Sequence, residues 1–413
     1  DNRIDTVRPD APELASFGDY DIGVRTLEFV DSDRIDILNT DRGGENAIYD
    51  RSLMVEIWYP AELATGQEPG GEYQAITRNP AITATLAGTA VRDAEPSSAN
   101  ARYPLVIISH GYPGNRFLIS HLGENLASKG YVVASIDHTD STYDDQQAFQ
   151  STLYNRPLDQ RFVLDTLDNL SNDSGSFLNG LLDAQTTGIV GYSMGGYGLV
   201  NNLGGGYSDD IVGSLMAPPN ELLHQHATGN PDYRSNLDPR IKVGFAIAPW
   251  GMASGFWRLE DLAGIDVPTF YLAGDNDTVA GYETGVRAIF EGAVNSDRYL
   301  LTYKNAGHNA GAPYPVPVEL LNAEDTTGAS HYTDPVWDNT RMNNIMDHFA
   351  TVYFDHYLKQ IEGRESYLDV IPDGADAVYS VTRGQHRDDH TYWKGFGPNT
   401  AIGLKLERRQ PGE

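Results

Sequence analysis

Short apolar runs that alternate with helical patterns constrain the fold of this chain more than any other feature of its sequence. We expect strands at residues 53–59, 105–109, 131–136, 188–192, 243–247, 269–273 and 299–302, and helices at 117–128, 159–170, 194–202, 284–290 and 339–358. Several of the runs are apolar throughout, which is typical of parallel strands buried on both faces. This alternation predicts an α/β fold in which helices flank a mostly parallel central sheet.

Three stretches interrupt the alternation. Residues 60–103 are rich in Gly, Ala, Thr and Pro and are interpreted as a loop with one short helix. Residues 203–238 and 310–338 follow strand ends, where the active sites of such sheets lie, and we expect them to form a lid or a cleft wall. The chain has no internal repeat. We therefore predict one domain over residues 1–413, with a core at about 50–360 and a C-terminal extension at 361–413 that adds an edge strand or packs as a flap.

Composition excludes several classes of function. The chain has 58 Asp and Glu residues against 29 Lys and Arg, a net charge of −29, which argues against nucleic acid and anionic membranes as partners. It has no cysteine, so disulfides, thiolate nucleophiles and Cys-ligated metal sites are ruled out. No zinc-protease, nucleotide-binding or EF-hand motif occurs, and we predict neither a metal nor a cofactor.

Nothing in the sequence predicts membrane insertion. No apolar run approaches the roughly 18–20 residues needed to cross a bilayer. The N-terminal segment lacks the basic and apolar regions of a signal peptide. The compartment is left open, with a secreted or periplasmic location favoured over a cytoplasmic one, and the oligomeric state cannot be read from the residues.

The segment GIVGYSMGGYG, residues 188–198, contains the strongest chemical motif. Its residues 191–195 match G-x-S-x-G between an apolar strand and a helix, which is the context of a nucleophile elbow. In such a turn the backbone of Ser193 is strained, and the flanking glycines let strand and helix approach closely enough to expose the hydroxyl. The alternative is a Gly-rich turn that contains serine by chance. We predict Ser193 as the nucleophile.

A serine hydroxyl is a weak nucleophile and needs a base that is oriented by a carboxylate. In folds with such an elbow, the acid and then the histidine follow the serine along the chain. After the strand at 269–273 we choose Asp277 as the acid, whereas Asp275 is expected to cap the turn. His308, in a Gly-flanked loop after the strand at 299–302, is the predicted base, with a surface histidine as the alternative. The histidines of the insertions and of the last helix are expected to be packing or surface groups: His224, His226, His331, His348 and His356.

Two N–H donors must face the oxyanion that forms during acyl transfer. We expect one from Met194, which follows the nucleophile. The other is assigned to the backbone N–H of Tyr112, in the loop HGYPGN after the strand at 105–109. His110 is interpreted as structural, with its ring bonded to nearby loop backbone, and a catalytic role is the alternative.

The segments YPLVIISHGYPGN (residues 103–115) and RPLDQRFVLDTL (residues 156–167) resemble the α/β-hydrolase branch that includes platelet-activating-factor acetylhydrolases and dienelactone-hydrolase-like proteins. The resemblance runs from about residue 20 to about 360 and implies the α/β-hydrolase fold. Dienelactone hydrolases use a cysteine nucleophile, which this chain lacks. In the acetylhydrolases the acid follows the strand that here reads VGFAIAPW, where Ala248 occupies the position of the Asp. The acid therefore moves to Asp277, on the following strand.

Shorter motifs are similar to those of bacterial cutinase-like polyester hydrolases. The resemblance covers GYSMGG (residues 191–196), the Gly-Tyr pair of the oxyanion loop, the turn NDTVA (residues 276–280) and an Ala-Pro-Trp segment. It implies substrate contacts by Tyr112, Val279 and Trp250. Packing alone is the alternative for the rings of Tyr112 and Trp250. The resemblance does not cover residues 1–90, the two insertions or the tail.

These residues predict a serine carboxylic-ester hydrolase with a Ser–His–Asp triad and an acyl-enzyme. Short- to medium-chain acyl esters are favoured as substrates, because inserted loops tend to enclose a cleft. The first alternative is an aliphatic or aromatic polyester hydrolase, and the second is a short-chain phospholipid acyl hydrolase. The expected partner is thus a small-molecule or polymeric ester. A non-catalytic binding protein is disfavoured because a complete triad is present.

Overall fold

A computed structural model describes residues 2–98 and 102–413. The strands of this part of the chain are β1 (Asp21–Ile35), β2 (Ile48–Glu62), β3 (Gly71–Ile76), β4 (Thr83–Gly88), β5 (Val91–Arg92), β6 (Glu95–Pro96), β7 (Tyr103–Ser109), β8 (Val132–Ile136), β9 (Leu182–Tyr192), β10 (Ile241–Ile247), β11 (Thr269–Gly274), β12 (Arg298–Tyr303), β13 (Val381–Thr382), β14 (Gln385–His386) and β15 (Leu404–Arg409). Its α-helices are α1 (Ser120–Ala127), α2 (Phe149–Ser171), α3 (Met194–Leu203), α4 (Asp209–Val212), α5 (Leu259–Leu262), α6 (Arg287–Gly292), α7 (Val318–Leu321) and α8 (Asn339–Tyr357). Among the described residues, no helix has the length and apolar character that a bilayer crossing requires.

One large sheet organises the molecule. Its strand order is β15-β12-β11-β10-β9-β7-β8-β2-β1-β5, and β6 pairs with β2. The strands from β12 to β8 are parallel to one another, whereas β15 and β2 border them in antiparallel orientation. The chain runs from β7 to β8 on one side and then to β9 on the other side of β7. Ligands of such sheets bind beyond the carboxyl ends of the strands at this switch point.

Helices pack on both faces of the sheet because its central strands are apolar on both. On β7, Val106 and Ile108 belong to the core that α1 and α8 cover, whereas Leu105 and Ile107 belong to the core that α2 and α3 cover. This division follows from the period of two residues along a strand. The α/β architecture and all seven predicted strands are confirmed.

The sheet extends past the predicted core of residues 50–360 at both ends. β1 pairs with β2 on one side, and β15, inside the predicted C-terminal extension, pairs with β12 as an edge strand. The extension thus contributes a strand to the main sheet.

The expectation of a loop with one short helix over residues 60–103 is wrong. β3 and β4 form an antiparallel hairpin there, although residues 99–101 lie outside the described residues. Ala75 and Ala84 are buried between more exposed neighbours, so the period-two signal of this hairpin is partly carried by alanine. Because the alanine side chain is small, buried and exposed positions differ little in apolar character, and the pattern is hard to recognise.

Candidate active site

Ser193 lies in the tight turn that joins β9 to α3, at the carboxyl end of a central strand. Its backbone has φ 52° and ψ −109°, a strained conformation for an L-residue. A Cβ on Gly195 would lie 1.9 Å from the Ser109 carbonyl oxygen, and a Cβ on Gly191 would lie 2.4 Å from the Gly195 carbonyl oxygen. The two glycines of the motif are therefore what allows the turn to close, and the structure places Ser193 in the predicted strand–turn–helix context.

A relay of hydrogen bonds joins Ser193, His308 and Asp277. The Ser193 hydroxyl donates to Nε2 of His308 over 2.9 Å, and Nδ1–H of His308 donates to Oδ2 of Asp277 over 2.7 Å. Since Nε2 accepts the serine hydroxyl, the imidazole proton is assigned to Nδ1, which faces a carboxylate oxygen. The Asp277 side chain is fully buried while that of His308 is 14% exposed. Of the two, only the imidazole is open to a substrate.

The backbone fixes the carboxylate of Asp277. Its Oδ1 accepts the N–H groups of Val279 and Ala280 over 2.8 and 2.9 Å. Asp275, the alternative acid in the same turn, instead accepts the N–H of Asn305 over 2.6 Å. The structure thus brings Asp277, and not Asp275, to the histidine.

The two predicted oxyanion donors lie close to the nucleophile. A Cβ on Gly111 would be 3.3 Å from the Cβ of Ser193, so the peptide that carries the Tyr112 N–H lies beside the serine. Met194 begins α3, where the first amides of a helix have no partner within the helix. Within the described part of the chain, neither the Tyr112 N–H nor the Met194 N–H has an acceptor.

Arg156, on α2, holds the peptide plane that carries the Tyr112 N–H. Its buried guanidinium donates to the carbonyl oxygens of His110 and Gly111, the second over 2.7 Å. Nδ1 of His110 donates to the same Gly111 oxygen over 2.6 Å. The Gly111 carbonyl and the Tyr112 N–H belong to one planar peptide group. Donors on its oxygen therefore fix the direction of its N–H, and the ring of His110 is bonded to loop backbone as expected.

A second Ser–His–Asp arrangement lies inside the protein beneath this loop. Oγ of Ser109 is 2.7 Å from Nε2 of His138, and Nδ1 of His138 is 2.9 Å from Oδ2 of Asp159. All three residues are almost fully buried, and burial lowers the pKa of His138 to about 3. Burial alone would raise the pKa of Asp159, but the charge of Arg51, which donates to both of its oxygens, holds that pKa well below its usual range. A substrate cannot reach these side chains. Their hydrogen bonds connect α2 to the strands under the oxyanion loop.

The cleft in front of Ser193 and His308 has a volume of about 390 Å³. Tyr112 and Val279 line it, and Val279 is 57% exposed at its rim. The phenol of Tyr112 donates to the Gln147 carbonyl over 2.5 Å, so its ring is held at the cleft wall. Both residues line the cleft, and their contact with a substrate stays a prediction.

Trp250 lies outside the residues that line this cleft. Its ring packs edge-on against Phe149 at 5.2 Å and tilted against Phe256 at 5.3 Å. Phe149 in turn packs edge-on against Tyr112 at 5.1 Å. Trp250 therefore supports the ring behind the cleft wall, and its own contact with substrate stays a prediction.

One of the two expected lid segments reaches the cleft. Ser330 and His331 of the 310–338 insertion line it, while the cleft lining within the described chain includes no residue of the 203–238 insertion. Arg78, between β3 and β4, and Tyr143, in the loop before α2, complete the wall. Sequence reasoning missed both residues. For Arg78 the reason is that no local motif connects the β3–β4 hairpin to Tyr332, 254 positions further along the chain.

Comparison with solved structures supports the fold. A ferulic acid esterase from Streptomyces cinnamoneus covers 85% of this chain and 94% of its own, with a TM-score of 0.55 and 21% sequence identity. The chain has the α/β-hydrolase fold. The fold class that its strand pattern and motifs predict is confirmed.

Sequence comparison adds relatives for this α/β-hydrolase fold. A family model described as PET hydrolase-like matches residues 73–204. Cutinase est1 of Thermobifida alba is 28% identical over 214 residues, 51% of this chain and 55% of the relative. A bis(hydroxyethyl) terephthalate hydrolase of Streptomyces coelicolor is 24% identical over 213 residues, 51% of this chain and 52% of the relative. The chain spans about half the length of these curated relatives, and its resemblance to cutinase-like polyester hydrolases is confirmed.

Proposed function

We propose that this α/β-hydrolase is a serine carboxylic-ester hydrolase. The observation that carries the proposal is the relay from Ser193 through His308 to the buried Asp277, with hydrogen bonds of 2.9 and 2.7 Å at the edge of a cleft. The cutinase and terephthalate-ester hydrolase relatives support it, since both names denote ester hydrolysis.

Acylation begins when Oγ of Ser193 attacks the ester carbonyl carbon and its proton moves to Nε2 of His308. Asp277 keeps the imidazole oriented and stabilises the imidazolium. The carbonyl oxygen becomes an oxyanion, for which the N–H groups of Tyr112 and Met194 are the proposed donors. The tetrahedral intermediate collapses as His308 gives its proton to the leaving alkoxide, which departs as an alcohol.

Deacylation repeats these steps with water. The water molecule gives a proton to His308 and attacks the acyl carbon, and the second tetrahedral intermediate releases the acid and restores the Ser193 hydroxyl. Ester and water thus yield acid and alcohol.

Hydrolysis of p-nitrophenyl esters of increasing acyl length tests the proposal. Ser193→Ala is expected to retain only residual activity, and Asp277→Asn is expected to lower kcat by about 10³- to 10⁴-fold. Asp275→Asn is the matched control, because the amide oxygen can still accept the Asn305 N–H and the side chain is not in the relay. Cleavage of no ester at all would refute the function, and equal losses in both Asp variants would refute the assignment of Asp277.

Polyester hydrolysis is a second candidate, favoured by the PET hydrolase-like match over residues 73–204. A steep fall in rate with acyl length would indicate a small-ester enzyme. A broad profile, together with release of soluble acid from a polyester film by the wild type and not by Ser193→Ala, would identify a polyester hydrolase.

A further inference from the structure

Arg78 is a cation without an acidic partner in a protein that has 58 Asp and Glu residues. Within the described residues, no carboxylate forms an ion pair with its guanidinium and no acceptor takes a hydrogen bond from it. Several other arginines of the chain pair with carboxylates, and Arg51, Arg116 and Arg240 each bind at least two. Arg78 lines the same cleft as Ser193.

The backbone and the stem of Arg78 are fixed, although its charged end has no partner. Its N–H donates to the Tyr332 hydroxyl over 2.9 Å. Its Cβ and Cγ lie 3.2 and 3.4 Å from the position that a Cβ on Gly328 would occupy, so the stem packs on the backbone of the 310–338 insertion. A side chain held in this way loses less conformational entropy when a ligand binds.

The titratable groups beside the guanidinium do not compensate its charge. Burial raises the pKa of the Tyr143 and Tyr192 hydroxyls above their ordinary value, with the charge of Arg78 as an opposing influence. Desolvation, followed by the charge of Arg78, lowers the pKa of His331 to about 4, although the residue is exposed at the cleft rim. These groups therefore leave the charge of Arg78 uncompensated, and no Asp or Glu is among the described residues that line the cleft.

We propose that Arg78 binds a carboxylate carried by the ester substrate, so that the site prefers esters with a second, free carboxylate over neutral esters of the same size. A planar guanidinium presents paired donors that match the two oxygens of a carboxylate. A net charge of −29 repels such substrates at long range, and a cation in the cleft that contains Ser193 offsets this repulsion. The inference rests on the proposed function and specifies the substrate class of that site.

Two matched pairs of esters test the inference on either side of the scissile bond. Mono-p-nitrophenyl glutarate is compared with its neutral carboxamide analogue for a carboxylate on the acyl side, with uncatalysed hydrolysis subtracted. The second pair, 4-carboxyphenyl butanoate and 4-carbamoylphenyl butanoate, tests a carboxylate on the alcohol side. The readout is the ratio of kcat/KM for the carboxylate ester to that for the carboxamide ester.

We expect Arg78→Gln to lower this ratio by about 10- to 100-fold in at least one pair, mainly through KM. Gln keeps the Cβ and Cγ that pack on Gly328 and the N–H bonded to Tyr332, so the fold is expected to persist, which a thermal unfolding curve verifies. Arg78→Lys keeps the charge without the planar fork, and an intermediate ratio is expected. Arg387→Gln removes the same charge at an exposed position outside the cleft and is the control.

Glutarate provides a second readout as an inhibitor of p-nitrophenyl butanoate hydrolysis, and its inhibition constant is expected to rise in Arg78→Gln. The inference would be overturned if wild type and Arg78→Gln had the same kcat/KM ratios and the same inhibition constant for glutarate. The same holds if Arg387→Gln changes them as much as Arg78→Gln. If the wild type cleaves neutral esters without an Arg78-dependent preference, the inference alone fails. If it cleaves no ester, the proposed function fails as well.

Discussion

Replacement of Arg156 by Met tests how the oxyanion loop is held. The guanidinium donates to the carbonyl oxygens of His110 and Gly111 and to Oγ of Ser141. In the variant the Gly111 oxygen keeps the donor from the His110 ring. The His110 carbonyl loses the one donor that it has within the described chain.

The expected magnitudes follow from this count of donors. An orphaned buried carbonyl lowers the free energy of unfolding by about 1–3 kcal/mol. Complete loss of one oxyanion donor lowers kcat by about 10²- to 10³-fold. Because the His110 ring still holds the peptide at one end, we expect a smaller loss, about 10- to 100-fold in kcat. KM should change less, since the donor matters most when charge develops on the oxygen.

The assay compares kcat and KM on p-nitrophenyl butanoate, together with urea unfolding, for Arg156→Met and Arg298→Met. Arg298 is also a buried arginine whose guanidinium donates only to backbone carbonyls, and it is not part of the cleft lining. This control is expected to lose stability and keep its kcat. A folded Arg156→Met variant with kcat within about twofold of wild type would refute the role of this guanidinium, and so would an equal loss of kcat in both variants.

Three further predictions concern the folded state. Gly195→Ala is expected to abolish activity and native folding, because its Cβ would lie 1.9 Å from a backbone oxygen; circular dichroism and the hydrolysis rate check this, and a folded, active variant would contradict the elbow geometry. Asp159→Asn removes the buried carboxylate that Arg34 and Arg51 share and leaves each of them with one acidic partner. It is expected to lower the free energy of unfolding by about 3–5 kcal/mol, against at most about 1 kcal/mol for the exposed ion-pair variant Asp165→Asn, both by urea titration. Burial lowers the pKa of His348 to about 3, so between about pH 6.5 and 3 the unfolded chain binds a proton there that the native state does not, and stability falls as the pH falls. In His348→Gln the free energy of unfolding should fall less steeply with falling pH, by about 1.4 kcal/mol per pH unit. Urea titrations across this pH range that give the same slope for wild type and variant would contradict the prediction.

The parallel part of the sheet could be predicted because strands buried on both faces need continuous apolar runs. β1 and β15 gave no such signal, since they lie near the sheet edges. β15 alternates buried with exposed or half-buried positions over much of its length, and most residues of β1 are exposed or half-buried. The pattern also indicates only the second half of α2, because Pro157 lies inside the helix and proline usually ends one. The elements that were not predicted are thus those that are buried on one face only, and those that contain a residue, such as Pro157, that usually ends the local structure.

The meeting of Ser193, Asp277 and His308 could be expected because each follows a strand of one parallel block, and the carboxyl ends of those strands share one edge. Arg78 lies instead in a two-stranded hairpin outside the main sheet. That hairpin reaches the cleft through a contact with Tyr332, 254 positions away. Motifs that depend on sheet order are readable in a sequence, whereas a cleft wall built from two loops distant in sequence is not.

The buried set of Ser109, His138 and Asp159 bears on how serine hydrolases are recognised from coordinates. Its hydrogen bonds of 2.7 and 2.9 Å match the 2.9 and 2.7 Å of the cleft, so a three-residue template would select both sets. Only Ser193 has exposed surface and free amides beside it. A fluorophosphonate probe should therefore add one label per chain, and intact mass spectrometry would separate the reactive serine from its buried counterpart.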